Sequence, residues 1–243
     1  MAYNWNIRPY IVINGTDSRS IPGLIITKLP PITRPPMRTR TETIDGRDGD
    51  IVTTLGYSAY DKTIEIGLAN EYNEDDIIRY FTQSGRVIFG SEPDKYYLFS
   101  CYDTINLEKL LRFRTGKINL HCQPFKYSDS EGELFFSWNK GRKEAFVRNN
   151  GNYFSRPKII INGYGRTLFG ISEKTILDID FPSSGASILI DPVNMEASYT
   201  SGGLANRLIK GDYDKIRLEP GENIITLNGS GATFSIREYS RWL

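Results

Sequence analysis

Short apolar segments separated by glycine, proline and asparagine breakers dominate the second half of the 243-residue chain, where no helical period occurs. They recur at intervals of about eight to twelve residues, a spacing typical of an all-β sandwich. The segments are Leu134–Trp138, Lys158–Ile161, Ile176–Phe181, Ile188–Ile190, Ile216–Leu218, Ile224–Leu227 and Phe234–Ile236. In Leu177–Phe181 apolar and acidic residues alternate strictly, which predicts a strand with one buried and one solvated face. The second half is therefore predicted to be a β-sandwich.

The first half combines predicted strands with a single predicted helix over residues 73–84. Asn73 is a favourable N-cap, and the three acidic residues that follow it complement the helix dipole. Ile77 and Phe81 belong to an apolar stripe, and Gly85 predicts the C-terminal stop. Strands are predicted at Tyr10–Ile13, Leu24–Thr27, Val87–Phe89, Tyr96–Cys101 and Lys117–Cys122. The fold class is thus mainly β, with one helix in the first half.

A polar segment at about residues 37–50 predicts a projecting hairpin. The proline-rich stretch 30–36 precedes it and cannot be a central strand, because proline donates no ladder hydrogen bond. Residues 37–44 are rich in threonine with little apolar alternation, and two Asp-Gly pairs follow as turn signals. A hairpin this polar has little to contribute to a core, so an arm is favoured over a buried ladder.

The charged residues of this arm are of both signs, with carboxylates interleaved among the arginines, and they indicate a subunit contact or a solvated face. They are Arg38, Arg40, Glu42, Asp45, Arg47 and Asp48. Interleaved carboxylates weaken the single-sign field that phosphate binding requires.

Composition excludes several classes of function. Lys and Arg total 30 against 29 Asp and Glu, so the net charge of +1 gives no general attraction to nucleic acid or anionic lipid. His121 is the one histidine, which excludes a multi-histidine metal site, and its alternation with apolar neighbours predicts a surface position. Cys101 and Cys122 are predicted to be buried thiols. Neither a signal peptide nor a membrane span is expected from the apolar pattern.

Three sequence patterns resemble ligand-binding or catalytic motifs, but each lacks a feature that its motif requires. The acidic run at 45–50 would need an oxygen ligand where Arg47 stands and a glutamate where Gly56 stands to form an EF-hand loop. Gly163-Tyr164-Gly165 lacks the third glycine and the following helix of a dinucleotide fingerprint. Asp178 and Asp180 lie on one solvated strand face, without the apolar pocket that would raise the pKa of a catalytic acid. No enzyme and no cofactor are indicated.

The best linker candidate lies at Ser128–Gly132, which divides the chain into residues 1–132 and 133–243. Aromatic residues of the second part offer surfaces for a partner or for stacking on sugar rings. The candidates are Tyr153, Phe154, Tyr199 and Trp242. Aromatic residues serve more commonly in cores and protein interfaces. A carbohydrate-binding module that adheres to cell-wall glycans is the alternative function, with an unrecognised hydrolase more distant.

Several segments in a fixed order carry a family resemblance. They are Ile44–Gly49, Gly85–Phe89, Glu92–Tyr97, Cys122–Tyr127, Val147–Gly151, Arg156–Ile159, Ile190–Asp191, Gly202–Leu204 and Leu218–Asn223. Together they resemble the distal tail proteins of long-tailed phages and prophages of Gram-positive bacteria, the siphovirus tail-tip hub family. The resemblance covers nearly the whole chain.

The resemblance implies a structural virion protein in a homo-hexameric ring at the far end of the tail tube. It implies partners in the major tail (tube) protein, the tail-associated tip or fibre protein and a receptor-binding protein, with DNA passing through the lumen only in transit. It implies a tail-tube-like β-sandwich with one helix for residues 1–132, which builds the ring, and a galectin-like β-sandwich for residues 133–243. The histidine on which true galectin sites depend is absent from this half. The implied location is the virion tail tip, after assembly in the bacterial cytoplasm.

Overall fold

The computed structural model describes residues 8–69, 71–101, 112–137, 142–172, 174–237 and 240–243. Its strands are β1 Ile11–Ile13, β2 Thr16–Asp17, β3 Leu24–Lys28, β4 Met37–Thr43, β5 Asp50–Tyr57, β6 Tyr60–Leu68, β7 Ser84–Phe89, β8 Lys95–Ser100, β9 Thr115–Ser128, β10 Leu134–Ser137, β11 Arg142–Asn149, β12 Lys158–Ile171, β13 Lys174–Asp191, β14 Glu196–Tyr199, β15 Ile209–Gly211, β16 Gly221–Arg237 and β17 Arg241–Trp242. The helix α1 is Glu74–Phe81. The chain forms two compact units: unit 1 is Met1–Asp129 with Leu243, and unit 2 is Ser130–Trp242. The mainly β class predicted from the sequence is confirmed.

Unit 1 is built on an antiparallel sheet with strand order β2-β1-β7-β8-β9-β6-β3. Inward-facing residues from six of these strands meet in one apolar cluster, so the sheet curls around a single core. Helix α1 adds Ile77, Tyr80 and Phe81 to that core, each at most 2% exposed. The hydroxyl of Tyr80 donates to the carbonyl of Ile11 or of Thr16, both 3.1 Å away, which satisfies its one buried polar atom.

The predicted helix start is confirmed and its end is corrected. Asn73 caps α1, accepting from the amides of Asp75 and Asp76. The helix ends at Phe81 rather than at Ser84, which begins β7. Gly85 lies within β7 at φ +142°, where a Cβ would stand 2.2 Å from the Asn14 side-chain oxygen. Its glycine is therefore required by this close approach and not by a helix stop.

Unit 2 folds three long strands through both layers of a sandwich. In the first part of β12, residues 159–163 pair with 186–190 of β13 and residues 158–162 pair with 233–237 of β16. In its second part, residues 165–171 pair with 174–181 of β13 and residues 168–171 pair with 225–228 of β16. One layer is completed by β10 and β14, and the other by β11 and β15. Apolar side chains from both layers form one core.

Glycines occupy the corners where these strands bend between layers. The register of β12 shifts between Gly163 and Gly165, and Gly165 has φ +62°. Gly185 takes φ +83° in β13. The Gly-x-Gly pair that imitates a nucleotide fingerprint in the sequence is thus a corner of the sandwich.

Two predicted strands differ in the structure. Ile216–Leu218 is not a strand: a 3₁₀ turn at Tyr213–Lys215 precedes it, and Leu218 forms an isolated bridge with Ser155. The segment predicted at Leu134–Trp138 is β10 up to Ser137, and Trp138 lies outside the described residues.

We predict that Gly229→Ala lowers the free energy of unfolding by about 1–3 kcal/mol through overpacking. The new Cβ would lie 2.5 Å from Oγ1 and 3.0 Å from Cα of the fully buried Thr167, at the corner of β16. Urea unfolding measures the change. Gly132→Ala is the control, because its Cβ meets nothing within 4 Å; equal effects of the two substitutions would contradict the corner packing.

Candidate interaction surfaces

The arm predicted at about residues 37–50 is a two-stranded antiparallel hairpin formed by β4 and β5, and it extends beyond the predicted end to Tyr57. Among the described strands it pairs with no other, so one edge of each strand lacks a ladder partner. Its register runs from Met37 opposite Tyr57 to Thr43 opposite Asp50, with a bulge at Leu55. Every residue of β4 is exposed. An isolated two-stranded ribbon of this kind is at best marginally stable in water.

The hairpin has two chemically different faces. Residues that pair across the ladder share a face, so the Thr39–Thr54 and Thr41–Val52 pairs lie together on one side. That side is uncharged along most of its length, and its Met37 and Val52 side chains are 43% and 59% exposed. We call it the threonine face.

The opposite face of the hairpin carries the charged residues of β4. Arg38, Arg40 and Glu42 alternate with the threonines. The Arg40 guanidinium lies 2.7 Å from the Glu42 carboxylate. This pair is solvent-exposed and contributes little to stability.

The turn of the hairpin presents the remaining charged candidates. Asp45, Arg47 and Asp48 are exposed there, with Gly46 and Gly49 at positive φ. The structure therefore places the six arm residues on one face and the tip of a single hairpin. It leaves their partners to the assembly.

Contacts at the hairpin base fix where the arm leaves unit 1. The Tyr57 ring packs edge-on against Phe125 of β9 at 5.9 Å, and the Arg34 guanidinium donates to the Tyr57 hydroxyl at 2.8 Å. The amide of Ser58 donates to the carbonyl of Pro36 at 2.9 Å. The proline-rich segment before the hairpin is thus attached to the sheet at several points.

The buried side chain of Lys62 also contributes to this attachment. Its side chain points inward from β6, is 3% exposed and lies 3.4 Å from the carbonyl of Pro31. Its ammonium also stands 4.8 Å from the centre of the Tyr97 ring and 5.0 Å from that of Tyr60. Burial lowers the pKa of Lys62, and these ring faces partly replace water around the charge. The sequence does not indicate that Lys62 is buried, because a lysine between charged and polar neighbours is expected at the surface.

In unit 2 the structure brings together Tyr153 and Phe154 of the aromatic candidates. Their rings lie 4.6 Å apart, and the Arg241 guanidinium stands 5.3 Å from the first and 4.7 Å from the second. Arg241 also donates to the carbonyl of Phe154. Arg217 stands 5.1 Å from the Phe154 ring. Much of the surface of these rings is therefore in contact with guanidinium groups.

The other aromatic candidates occupy different surroundings. Tyr199 lies in β14 and packs partly buried against the core of unit 2. Trp242 follows Arg241 in β17 and is half-buried. Phe135, which the sequence analysis does not single out, is 76% exposed on β10 and lines a shallow cavity of about 280 Å³ with Asn162 and Thr233.

Other residues considered from the sequence have ordinary structural partners. Asp178 receives two hydrogen bonds from Arg166, which lower the pKa of that carboxyl. His121 lies on the outer side of β9, 2.7 Å from Asp61. Cys122 is buried, and desolvation raises the pKa of its thiol to about 12.

No group of three or more His, Cys, Asp or Glu side chains is placed to hold a metal ion among the described residues. In those same ranges no helix is long and apolar enough to cross a membrane.

Comparisons by sequence yield no match, either to a family model or to a curated protein. Comparisons by structure do. The Dit protein of phage SPP1, described as a paradigm of the hub adsorption apparatus in phages that infect Gram-positive bacteria, aligns with 97% of this chain and 99% of its own at 17% identity and a TM-score of 0.67.

Two structures of the phage p2 baseplate in its activated conformation, with Ca and with Sr, align more weakly. They cover 95% of this chain at 12% and 13% identity, with 97% and 98% of their own chains and TM-scores of 0.48 and 0.44. The alignment with SPP1 Dit, at 97% of this chain, extends over both units. This chain has the fold of the SPP1 Dit hub protein along nearly its whole length.

Proposed function

We propose that this chain is the structural hub at the distal end of a phage tail. The observation that carries the proposal is the alignment with SPP1 Dit across 97% of the chain, since a shared order of both units is more specific than one shared sandwich. The proposed role is structural and not enzymatic. It places the protein at the virion tail tip, after assembly in the bacterial cytoplasm.

In this role six copies form a ring that joins the tail tube to the tip or fibre protein and to the host-adhesion apparatus. Unit 1 builds the ring, and unit 2, proposed to be galectin-like, lies outward. A lumen lets DNA pass, for which a net charge of +1 with interleaved signs is suitable because it avoids tight phosphate binding. The tube protein, the tip protein and a receptor-binding protein are the proposed partners.

The hairpin supports ring formation because it is incomplete in a single chain. A closed ring needs two different patches on each subunit, one for each neighbour. The hairpin offers a threonine face that is uncharged along most of its length, and two strand edges without a ladder partner among the described strands; a neighbouring subunit can cover both. We propose that the threonine face packs on the next subunit, and that Arg38, Arg40, Glu42, Asp45, Arg47 and Asp48 set its position through charge pairing.

A carbohydrate-binding module remains the second candidate, and Phe135 is the observation that favours it. Among the described residues its ring is the most exposed of the large apolar side chains, and it lies beside the polar groups of Asn162 and Thr233. An exposed aromatic ring next to hydroxyl and amide groups suits sugar stacking. In that case residues 134–243 alone would bind cell-wall glycans, and Phe135→Ala would abolish the binding.

We predict that the purified chain forms a hexamer of about 166 kDa, from six copies of 27.7 kDa. Multi-angle light scattering over a range of concentrations measures this mass. A strict monomer at every concentration, also in the presence of tube and tip proteins, would contradict the ring. It would favour the glycan-binding function instead.

We predict that Val52→Lys disrupts the ring, because an ammonium would be buried without a partner between subunits. Thr53→Lys is the matched control: it is the adjacent exposed residue of β5 and lies on the charged face. The same light-scattering measurement, with circular dichroism to verify folding, separates the two.

Loss of the hexamer in Val52→Lys alone would support the threonine face as the contact. Hexamers that survive both substitutions, or that survive deletion of residues 43–50, would exclude the hairpin from the interface. The hub function would then still be tested by the mass of the unmodified chain.

A further inference from the structure

A groove of about 790 Å³ opens in unit 2 beside the turn that joins β12 to β13. Lys174 lies on the turn side, and Ile171 and Ile176 supply apolar lining. Lys215, Arg217 and Glu219 line a further part of the groove, which we call the cationic wall. The groove therefore combines the partly exposed Ile176 with three cationic side chains.

Buried and exposed side chains alternate along residues 215–219, which places the cationic wall on the exposed side of the backbone. Ile216 and Leu218 are fully buried in the core of unit 2, so Lys215, Arg217 and Glu219 fall on the other side of the backbone. Leu218 exchanges two backbone hydrogen bonds of 2.9 Å with Ser155. The wall is thus held firmly although it belongs to no strand.

Arg217 is pre-oriented by two contacts outside the groove. Its Nε donates to the carbonyl of Asp214 at 3.0 Å, and its guanidinium carbon stands 5.1 Å from the Phe154 ring centre. The two terminal nitrogens make no hydrogen bond to a described residue and can donate to a ligand as a fork. Phe154 is therefore a positioning residue for Arg217.

Among the described lining residues of the groove, cationic side chains outnumber carboxylates. Lys215 lies 3.4 Å from Asp212, and Glu219 is the one carboxylate among the described lining residues. Asp214 is 2.9 Å from Arg156 and so is compensated outside the groove. Lys174 makes no ion pair within the described part of the chain. An anion is the complementary ligand.

We propose that this groove binds a phosphate group carried on an aliphatic body, such as a phosphorylated polyol. A phosphate has enough oxygens to engage the Arg217 fork and both lysines together, whereas a carboxylate is satisfied by the fork alone. Ile176, which is partly exposed in the groove, contacts the aliphatic body. No aromatic residue lines the groove among the described residues, so bases of a nucleic acid would find no ring on which to stack.

Titration of the full chain with glycerol 3-phosphate, followed by ³¹P NMR line broadening at constant ionic strength, tests the site. Arg217→Ala is expected to weaken binding about tenfold, as for loss of a hydrogen bond to a charged group, and Lys174→Ala to weaken it less. Arg217→Lys, which keeps the charge but not the fork, should fall between. Arg207→Ala and Lys210→Ala are matched controls, because both are exposed cations of unit 2 outside the groove.

The site is supported if Arg217→Ala and Lys174→Ala reduce the ³¹P line broadening and the two control variants leave it unchanged. No broadening by the unmodified chain, or equal affinity in Arg217→Ala, would overturn it. If citrate displaces glycerol 3-phosphate as effectively as the same concentration of inorganic phosphate does, the proposed preference for phosphate over carboxylate is wrong. Tighter binding of a single-stranded oligonucleotide through the same residues would overturn the aliphatic ligand.

Discussion

The requirement that strand edges be paired is the constraint on which this structure depends. A buried or flat strand edge exposes unpaired amide and carbonyl groups, which cost free energy and invite association with other chains. Unit 1 pairs most of its strand edges in one curled sheet, whose end strands are β2 and β3, and unit 2 does so by passing β12, β13 and β16 through both of its layers. In the hairpin β4–β5, by contrast, both strands have one edge without a ladder partner among the described strands. That is the physical reason to expect a neighbouring subunit there.

The attachment of the hairpin explains how an exposed ribbon can still have a defined direction. Burying Lys62 is costly unless its charge has partners, and the carbonyl of Pro31 and the surrounding aromatic rings supply them. With the Tyr57–Phe125 contact, these interactions hold both ends of the hairpin against the sheet of unit 1. An arm fixed at its base and exposed along its length is suited to contact an adjacent copy rather than to pack on its own core.

In unit 2 aromatic rings and arginines act together. Tyr153 and Phe154 appear in the sequence as candidate ligand-stacking residues, but in the structure they position Arg241 and Arg217. The same contact that covers the Phe154 ring orients Arg217 along the groove. At this place the structure therefore presents charged groups rather than an exposed ring, whereas Phe135 on β10 is the most exposed aromatic ring among the described residues of the unit.

The sequence by itself determined the local elements: the alternating strands, the Asn73 cap, the proline-rich break and the isolated polar hairpin. Each depends on residues a few positions apart, so a short window of sequence contains the information. Strand β6 is not among the strands predicted from the sequence, and its inward-pointing Lys62 contacts the carbonyl of Pro31, which belongs to an earlier segment of the chain. The tertiary structure alone decided the bends at Gly163–Gly165 and Gly229, the burial of Lys62 and the groove at Arg217. These depend on contacts between residues far apart in the chain, which local patterns do not encode.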